Sequence, residues 1–421
     1  MFMLLNISRI STAQNDSVLF TNHIFNESVK TVRFFKEGWE LTYPVINLNS
    51  DEKLELQFDL IGRNSDSYYY TIVHCSKDWE RSDIIPSVYL EGFPENPVVD
   101  YVSSFNTTVN YIHYSLTIPN DMISFRISGN YILMIYPEGE PEKPVLTRRF
   151  MVSEDTAPVG MEAHRARLYG DMNTDQQVDM NVNISGLNIS DPYKDVFAFI
   201  LQNGRWNNAK KNLKPDIFGS TELKFGSLSG RNIFRGGNEY RYFDIKTIKT
   251  QTEYVRKIDF LVSNYSVYLR PSETREFKPY FYWKDFNGNY YVAIQEKKNP
   301  RIEADYVYVY FTLQSKYPAE EGKIYVSGAL ADWSFGPGNL MNYNPDSQSY
   351  ECVMLLKQGW YNYEYFFRKD GDNTGNVSKF EGNHYETEND YTALIYYRNP
   401  RERYDRLIGT RTINTLNNLT F

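Results

Sequence analysis

An all-β chain of three consecutive immunoglobulin-like and early-set-like β-sandwiches is what this sequence predicts, and three observations carry the prediction. Aromatics make up 16% of the residues, with 36 Tyr, which suits a pleated, half-buried surface better than a helix. Short runs of period-two alternation recur along the chain with turn chemistry between them. The 421 residues exceed what one core organises, and at roughly 100–150 residues per domain they divide into about three.

Taken in order, residues 1–5 are a short apolar run, and Ser11, Thr12, Ala13 and Gln14 look like the small-residue end of a secretory signal. The run lacks a basic start, so the expectation is a signal-peptide remnant over 1–14, with its start upstream of Met1 and processing near Ala13. A first sandwich is expected over 29–154. Leu54, Leu56 and Phe58 alternate with Lys53, Glu55, Gln57 and Asp59, the pattern of a strand that packs one face only. Ile112, Tyr114, Leu116 and Ile118 alternate in the same way with His113, Ser115 and Thr117. Residues 131–136 (YILMIY) are apolar on both faces and read as a central strand; the Pro/Gly/Glu turn at 137–144 leads to a closing strand over 145–152.

Asp155, Pro158 and Gly160 break the pattern over 153–160, a first linker, and a middle sandwich is expected over 160–300. Val178, Met180, Val182 and Ile184 alternate with polar residues, and 196–201 is a continuous run of the buried-strand type. Residues 202–237 are rich in Lys, Asn, Gly and Ser and locally basic through Arg205, Lys210, Lys211, Lys214, Arg231 and Arg235; they read as long loops. Residues 280–283 and 290–294 flank Asp285-Phe286-Asn287-Gly288-Asn289, where Asn-Gly supplies the positive φ values of a tight hairpin turn. Residues 297–304, charged and carrying Pro300, form a second linker. A third sandwich is expected over 305–398, with Tyr361, Tyr363 and Tyr365 on one strand face. The basic stretch 399–421, with Arg401, Arg403, Arg406 and Arg411, reads by default as a solvated tail, with 405–410 as the alternative, a short segment ordered against another surface.

Composition also excludes. A net charge of −8 and a pI near 5.4 oppose duplex binding, which rests on Lys and Arg neutralising phosphates. Two cysteines, Cys75 and Cys352, rule out a disulfide scaffold and read as buried thiols in strands. No apolar run approaches the roughly 20 residues of a spanning helix. His23, His74, His113, His164 and His384 show no metal-ligand spacing, and no nucleophile elbow or phosphate loop occurs. No cofactor and no metal are therefore expected. Glu381, Glu386, Glu388 and Asp390 beside His384 read as a solvated charged turn rather than an acid–base pair.

Several long stretches carry a resemblance. They are 30–60 (KTVRFFKEGWELTYPVINLNSDEKLELQFDL), 68–79 (YYYTIVHCSKDW), 89–101 (YLEGFPENPVVDY), 101–152, 355–367 (LLKQGWYNYEYFF) and 381–398 (EGNHYETENDYTALIYYR). Together they resemble the plug proteins of the type IX secretion system, a periplasmic family of Bacteroidetes-type bacteria. The resemblance implies a non-enzymatic periplasmic subunit on the inner face of the outer membrane. Its partner would be the giant translocon β-barrel, whose periplasmic mouth it occludes when no cargo is loaded; no small-molecule substrate is implied. Trp39, Tyr89, Phe93 and Tyr101 lie in the matching stretches and are the partner-binding candidates, since interface cores favour aromatics. The third region also resembles early-set modules that bind glycogen or starch, through Gly328, Asp332-Trp333 and Tyr361/Tyr363/Tyr365. That supports an alternative, a glucan-binding periplasmic protein using Trp333 and Trp360. Where those modules carry a second stacking tryptophan, this chain has Arg368-Lys369-Asp370-Gly371.

Overall fold

A computed structural model describes residues 19–167, 170–226, 230–371 and 375–418. The signal-peptide remnant expected over 1–14 lies outside the described residues. The architecture is all-β, as composition and alternation require.

The first sandwich closes two sheets over one core. One sheet orders His23–Ile24, Leu146–Ser153, Gly129–Pro137, Tyr68–Cys75 and Glu95–Pro97, with Val45–Asn47 parallel to Leu146–Ser153. The facing sheet orders Val29–Lys36, Leu54–Ile61, Tyr111–Ile118 and Asp100–Ser103. Leu54, Leu56, Phe58, Tyr114, Tyr131 and Leu133 meet between them. The alternating strand Leu54–Ile61 departs from expectation, because its polar face is buried as well: Glu55, Gln57 and Asp59 are all shielded from solvent. Period two reports which face is apolar; it is silent on whether a neighbouring sandwich covers the other.

The middle sandwich is not contiguous in sequence, which corrects the 160–300, 305–398 and 399–421 boundaries. One of its sheets contains Val159–Arg165, Asp175–Asn183, Ile217–Phe218, Glu222–Phe225 and Ile233–Arg235. The other orders Arg205–Leu213, Val196–Gln202, Asp390–Tyr397 and Arg406–Asn414. Half of that second sheet thus comes from the end of the chain. The stretch read as a solvated tail is a strand whose Leu407 and Ile408 are fully buried, because Asp390–Tyr397 needs a partner on its far edge. The Lys- and Asn-rich stretch read as loops contains the sheet's edge strand, Arg205–Leu213. Charged side chains are expected there, since they discourage pairing with another chain.

Between Ile233–Arg235 and Asp390–Tyr397 a third sandwich is inserted. Its sheet orders Arg241–Asp244, Gly359–Lys369, Gly322–Ser327, Leu340–Asn344, Ser349–Lys357, Tyr306–Gln314, Asn264–Leu269 and Val255–Leu261, with Tyr290–Val292 also on Gly359–Lys369. Tyr361, Tyr363 and Tyr365 all enter its core, as their shared face predicts. The expected hairpin over 280–294 does not form. Asn287 and Gly288 do take positive φ (51° and 82°), but 280–283 is not a strand. Trp283 Nε1 donates to Tyr240 O (2.8 Å), tying the segment to a crossing of the chain rather than to a partner strand. The expected linker at 297–304 is a loop inside this sandwich, with one helical turn at Pro300–Glu303.

A further apolar core welds the first and middle sandwiches. Ile132, Met151, Cys75 and Trp79 from the first pack with Phe199, Leu201, Leu394, Tyr396 and Leu407 from the middle. This explains the runs that are apolar on both faces. In Gly129–Pro137, Tyr131, Leu133 and Ile135 point into the sandwich while Ile132 points into the junction; in Val196–Gln202, Ala198 and Ile200 point in while Phe199 and Leu201 point out. Cys75 belongs to this junction and Cys352 to the inserted core; both thiols are buried and form no disulfide.

Candidate partner-binding surface and the joints that hold it

The strand Val29–Lys36 ends in a tight loop that presents Trp39. Gly38 takes φ 80°, Trp39 N donates to Lys36 O (2.8 Å), and Thr42 Oγ1 accepts from Lys36 N (3.0 Å) while donating to Trp39 O (2.7 Å). The backbone is satisfied locally, and the ring stands 68% exposed. It lies on the rim of a cleft of about 1270 Å³ among the three sandwiches, lined also by Arg33, Arg148, Tyr290, Asp332 and Trp333.

Phe93 and Tyr101 are exposed by different means. Phe93 follows Leu90–Gly92, which pairs with Ile123–Phe125; a Cβ on Gly92 would come 2.0 Å from Met122 O, so only glycine permits this close approach. Phe93 is 76% exposed, its carbonyl held by Asn96 Nδ2 at 2.7 Å. Tyr101 lies on Asp100–Ser103, an edge strand exposed along its whole length, and is 50% exposed beside Tyr114. Tyr89 does not join them. It is 4% exposed, its hydroxyl donates to Ile72 O (3.3 Å), and its ring packs in the core, so its role is structural. Sequence reasoning missed Ile85, Val99, Val102 and Phe105, which are exposed around the same segment. Val102 lies on the four-residue edge strand and the others in short connecting pieces, too short for alternation to give a signal.

The two tryptophans of the glucan alternative both make ring contacts within the chain. Arg205 lies over Trp333 (5.3 Å), whose ring edge rests on Gly288 and against Tyr240. Trp360 is stacked with Tyr242 (5.3 Å, 16°) and Tyr291 (6.3 Å, 10°).

Two polar constellations hold the inserted sandwich in place. Against the first sandwich, Lys357 Nζ meets Asp59 Oδ2 at 2.6 Å, with both side chains 1% exposed. Asp59 also accepts from Tyr306 OH (2.7 Å) and meets His113 Nδ1 (2.7 Å), and Lys357 donates to Arg301 O (2.7 Å). The ammonium and these bonds hold the Asp59 carboxyl below its ordinary range against the opposing pull of burial. Nearby, Asp305 accepts from Thr108 N (2.8 Å) and Val109 N (3.1 Å), and Arg301 pairs with Glu55 (2.9 Å). His113 thus holds Asp59 from within its own sheet, and His74, bonded to Ser82 Oγ and Ser128 O, is held near 4 by burial.

The second constellation occupies the crossings between middle and inserted sandwiches, where the sequence suggested a solvated acidic turn. Glu381 is instead 1% exposed, paired with Arg241 (3.0 Å) and Arg275 (2.7 Å), and accepts from Tyr365 N (2.8 Å). The two guanidiniums overcome burial and hold its carboxyl near 2. Among the described residues no group of three His, Cys, Asp or Glu side chains is arranged to hold a metal ion, and no helix is long and apolar enough to cross a membrane.

The fold thus defines an all-β protein of several sandwiches, one of which carries exposed aromatics on loops and an edge strand. Residues 29–154 match the family model described as the type 9 secretion system plug protein first domain. The chain belongs to the type IX secretion plug protein family. A crystal structure of a hypothetical protein from Parabacteroides merdae is similar along nearly the whole chain, with TM-score 0.91, 33% identity, and 94% of this chain and 99% of that chain covered. No curated protein sequence matches the chain.

Proposed function

We propose that this protein is a non-enzymatic periplasmic plug that occludes the periplasmic mouth of the type IX outer-membrane translocon barrel when no cargo is loaded. The observation that carries the reading is the match of the first sandwich to the first domain of the plug family. Three features of the body support it. Two contacts tie the first sandwich to the others, an apolar core against the middle one and the Asp59–Lys357 pair against the inserted one, so the body around the first sandwich resists deformation. Several sandwiches together span more of a wide pore than one small domain. Trp39, Phe93 and Tyr101 offer separated aromatic anchors rather than one large apolar face, which suits an interface that must release.

Affinity purification of the tagged protein from gently solubilised envelopes tests the reading. An outer-membrane β-barrel should be recovered, more abundantly when secretion is idle, and Trp39→Ala, Phe93→Ala and Tyr101→Ser combined should lower recovery at least tenfold without altering the fold. Absence of a barrel under mild conditions would overturn it.

A further inference from the structure

The inserted sandwich hangs on two chain crossings, residues 236–240 going out and 382–389 returning, and the segment 275–289 packs between them. At their centre Glu239 is completely buried. Its Oε1 accepts from Tyr280 OH (2.5 Å) and Glu388 N (3.0 Å), and its Oε2 has no partner. Asp285 is 5% exposed and accepts only from backbone, Tyr240 N (2.5 Å) and Asn287 N (2.6 Å). The cations close by are engaged with other groups: Arg241 and Arg275 pair with Glu381, Arg275 Nη2 also donating to the Glu239 backbone carbonyl (2.8 Å) and drawing Asp285 slightly down, and Arg205 pairs with Glu364 (3.4 Å). The charges that act on the Glu239 carboxyl itself are acidic. Asp285 approaches from the turn and Glu388 from the return crossing; Glu386 faces Tyr280 and His384, and Tyr282 OH donates to Glu388 (3.4 Å).

We propose that this joint is a proton latch: with Glu239 and Asp285 protonated the inserted sandwich is held on the middle one, and ionisation of that pair loosens the attachment. Two unpaired carboxylates cannot both be charged in a buried site, and an orphan oxygen tolerates a neutral carboxyl far better than an anion. Burial, with repulsion from Asp285 and Glu388, pushes Glu239 up to about 8, and burial pushes Asp285 up to about 7. In an opened joint the same Glu239 would titrate near its ordinary 4.5. The attachment is therefore complete below that value, weakens as pH rises towards 8, and stays weakened above it. Glu381, held near 2 by its arginines, works in the opposite sense and weakens the joint only in strong acid.

Hydrogen–deuterium exchange of the full chain at pH 5.5 and 8.5, corrected for intrinsic exchange, tests this. Peptides covering 235–244, 275–289 and 381–392 should lose protection at least tenfold at the higher pH, relative to the buried strand Leu54–Ile61. Glu239→Gln should abolish most of that loss, because the amide keeps the Oε1 acceptor and places an uncharged group at the orphan position. Tyr280→Phe removes a bond that favours the anion, so it should move the midpoint of the loss to higher pH. A native joint whose protection does not change with pH, a Glu239→Gln chain that keeps the native dependence, or a Tyr280→Phe midpoint that stays or falls would each overturn the latch.

Discussion

The inserted sandwich is attached at two joints of equal burial and opposite electrostatics. Against the first sandwich, Asp59 is matched by Lys357 and by two further hydrogen-bonding partners. Against the middle one, Glu239 and Asp285 meet hydroxyls, amides and other carboxylates. Burial acts alike on all three acids, yet it leaves Asp59 charged and keeps the other two protonated well into the neutral range. The partner count decides which, because desolvation sets the cost of a charge and only a close cation offsets it. The first joint is thus rigid across neutral pH and intolerant of losing one member. The second is tolerant in that range only while it holds its protons.

The sharpest way to break this comparison is Lys357→Met. It strands Asp59 in the interior and is expected to destabilise the chain by about 3–5 kcal/mol in urea unfolding, whereas Lys357→Met combined with Asp59→Asn should recover much of the loss. A single variant as harmless as the double would mean that the pair is not the support described. Leu394→Ala, in the apolar junction of first and middle sandwiches, should cost about 2–4 kcal/mol by the same measurement, with no pH dependence.

The pH profile of stability sharpens the contrast further. The lowered carboxyls, Asp59 and Glu381, contribute stability that is present above their ordinary range and lost as pH falls through it, to about 2 for Glu381. His74, held near 4 against its ordinary 6.5, adds a loss that builds as pH falls from 6.5 to about 4. The raised carboxyls, Glu239 near 8 with Asp285 and Glu364 near 7, act in the other direction as pH climbs past 4.5. Maximum stability is expected on the acid side of neutrality, at roughly pH 5–6, in urea melts run across the range. A maximum above pH 8 would contradict the assignment of protons to the second joint. The smallest effect belongs to the surface: Trp39→Ser should change stability by no more than about 0.5 kcal/mol, since most of the side chain is already in solvent.

Much of this was legible from the chain, and the misses share a cause. Alternation in 53–59 named Leu54, Leu56 and Phe58 as core, and they are. It also named Glu55, Gln57 and Asp59 as solvent-facing, which fails because another sandwich brings Arg301 and Lys357 to that face. Trp39, Phe93 and Tyr101 were visible as candidates through their setting in family-like stretches. Tyr89 was indistinguishable from them until the core claimed its ring. The acidic stretch around His384 looked like a solvated turn, since local composition does not reveal that Arg241 and Arg275 fold back from more than 100 residues away.

By itself the amino-acid sequence determined the all-β class, the strands with one apolar face, the doubly apolar runs and the aromatic face of Tyr361, Tyr363 and Tyr365. Each of these follows from side-chain period and β-propensity, which act within a few residues. Only the tertiary structure decided that the third sandwich interrupts the middle one, that the basic end of the chain is a buried strand, and which acids are charged. Those outcomes depend on which distant surfaces meet, and a carboxyl's protonation is set by the cation or carboxylate that arrives beside it, not by its neighbours in sequence.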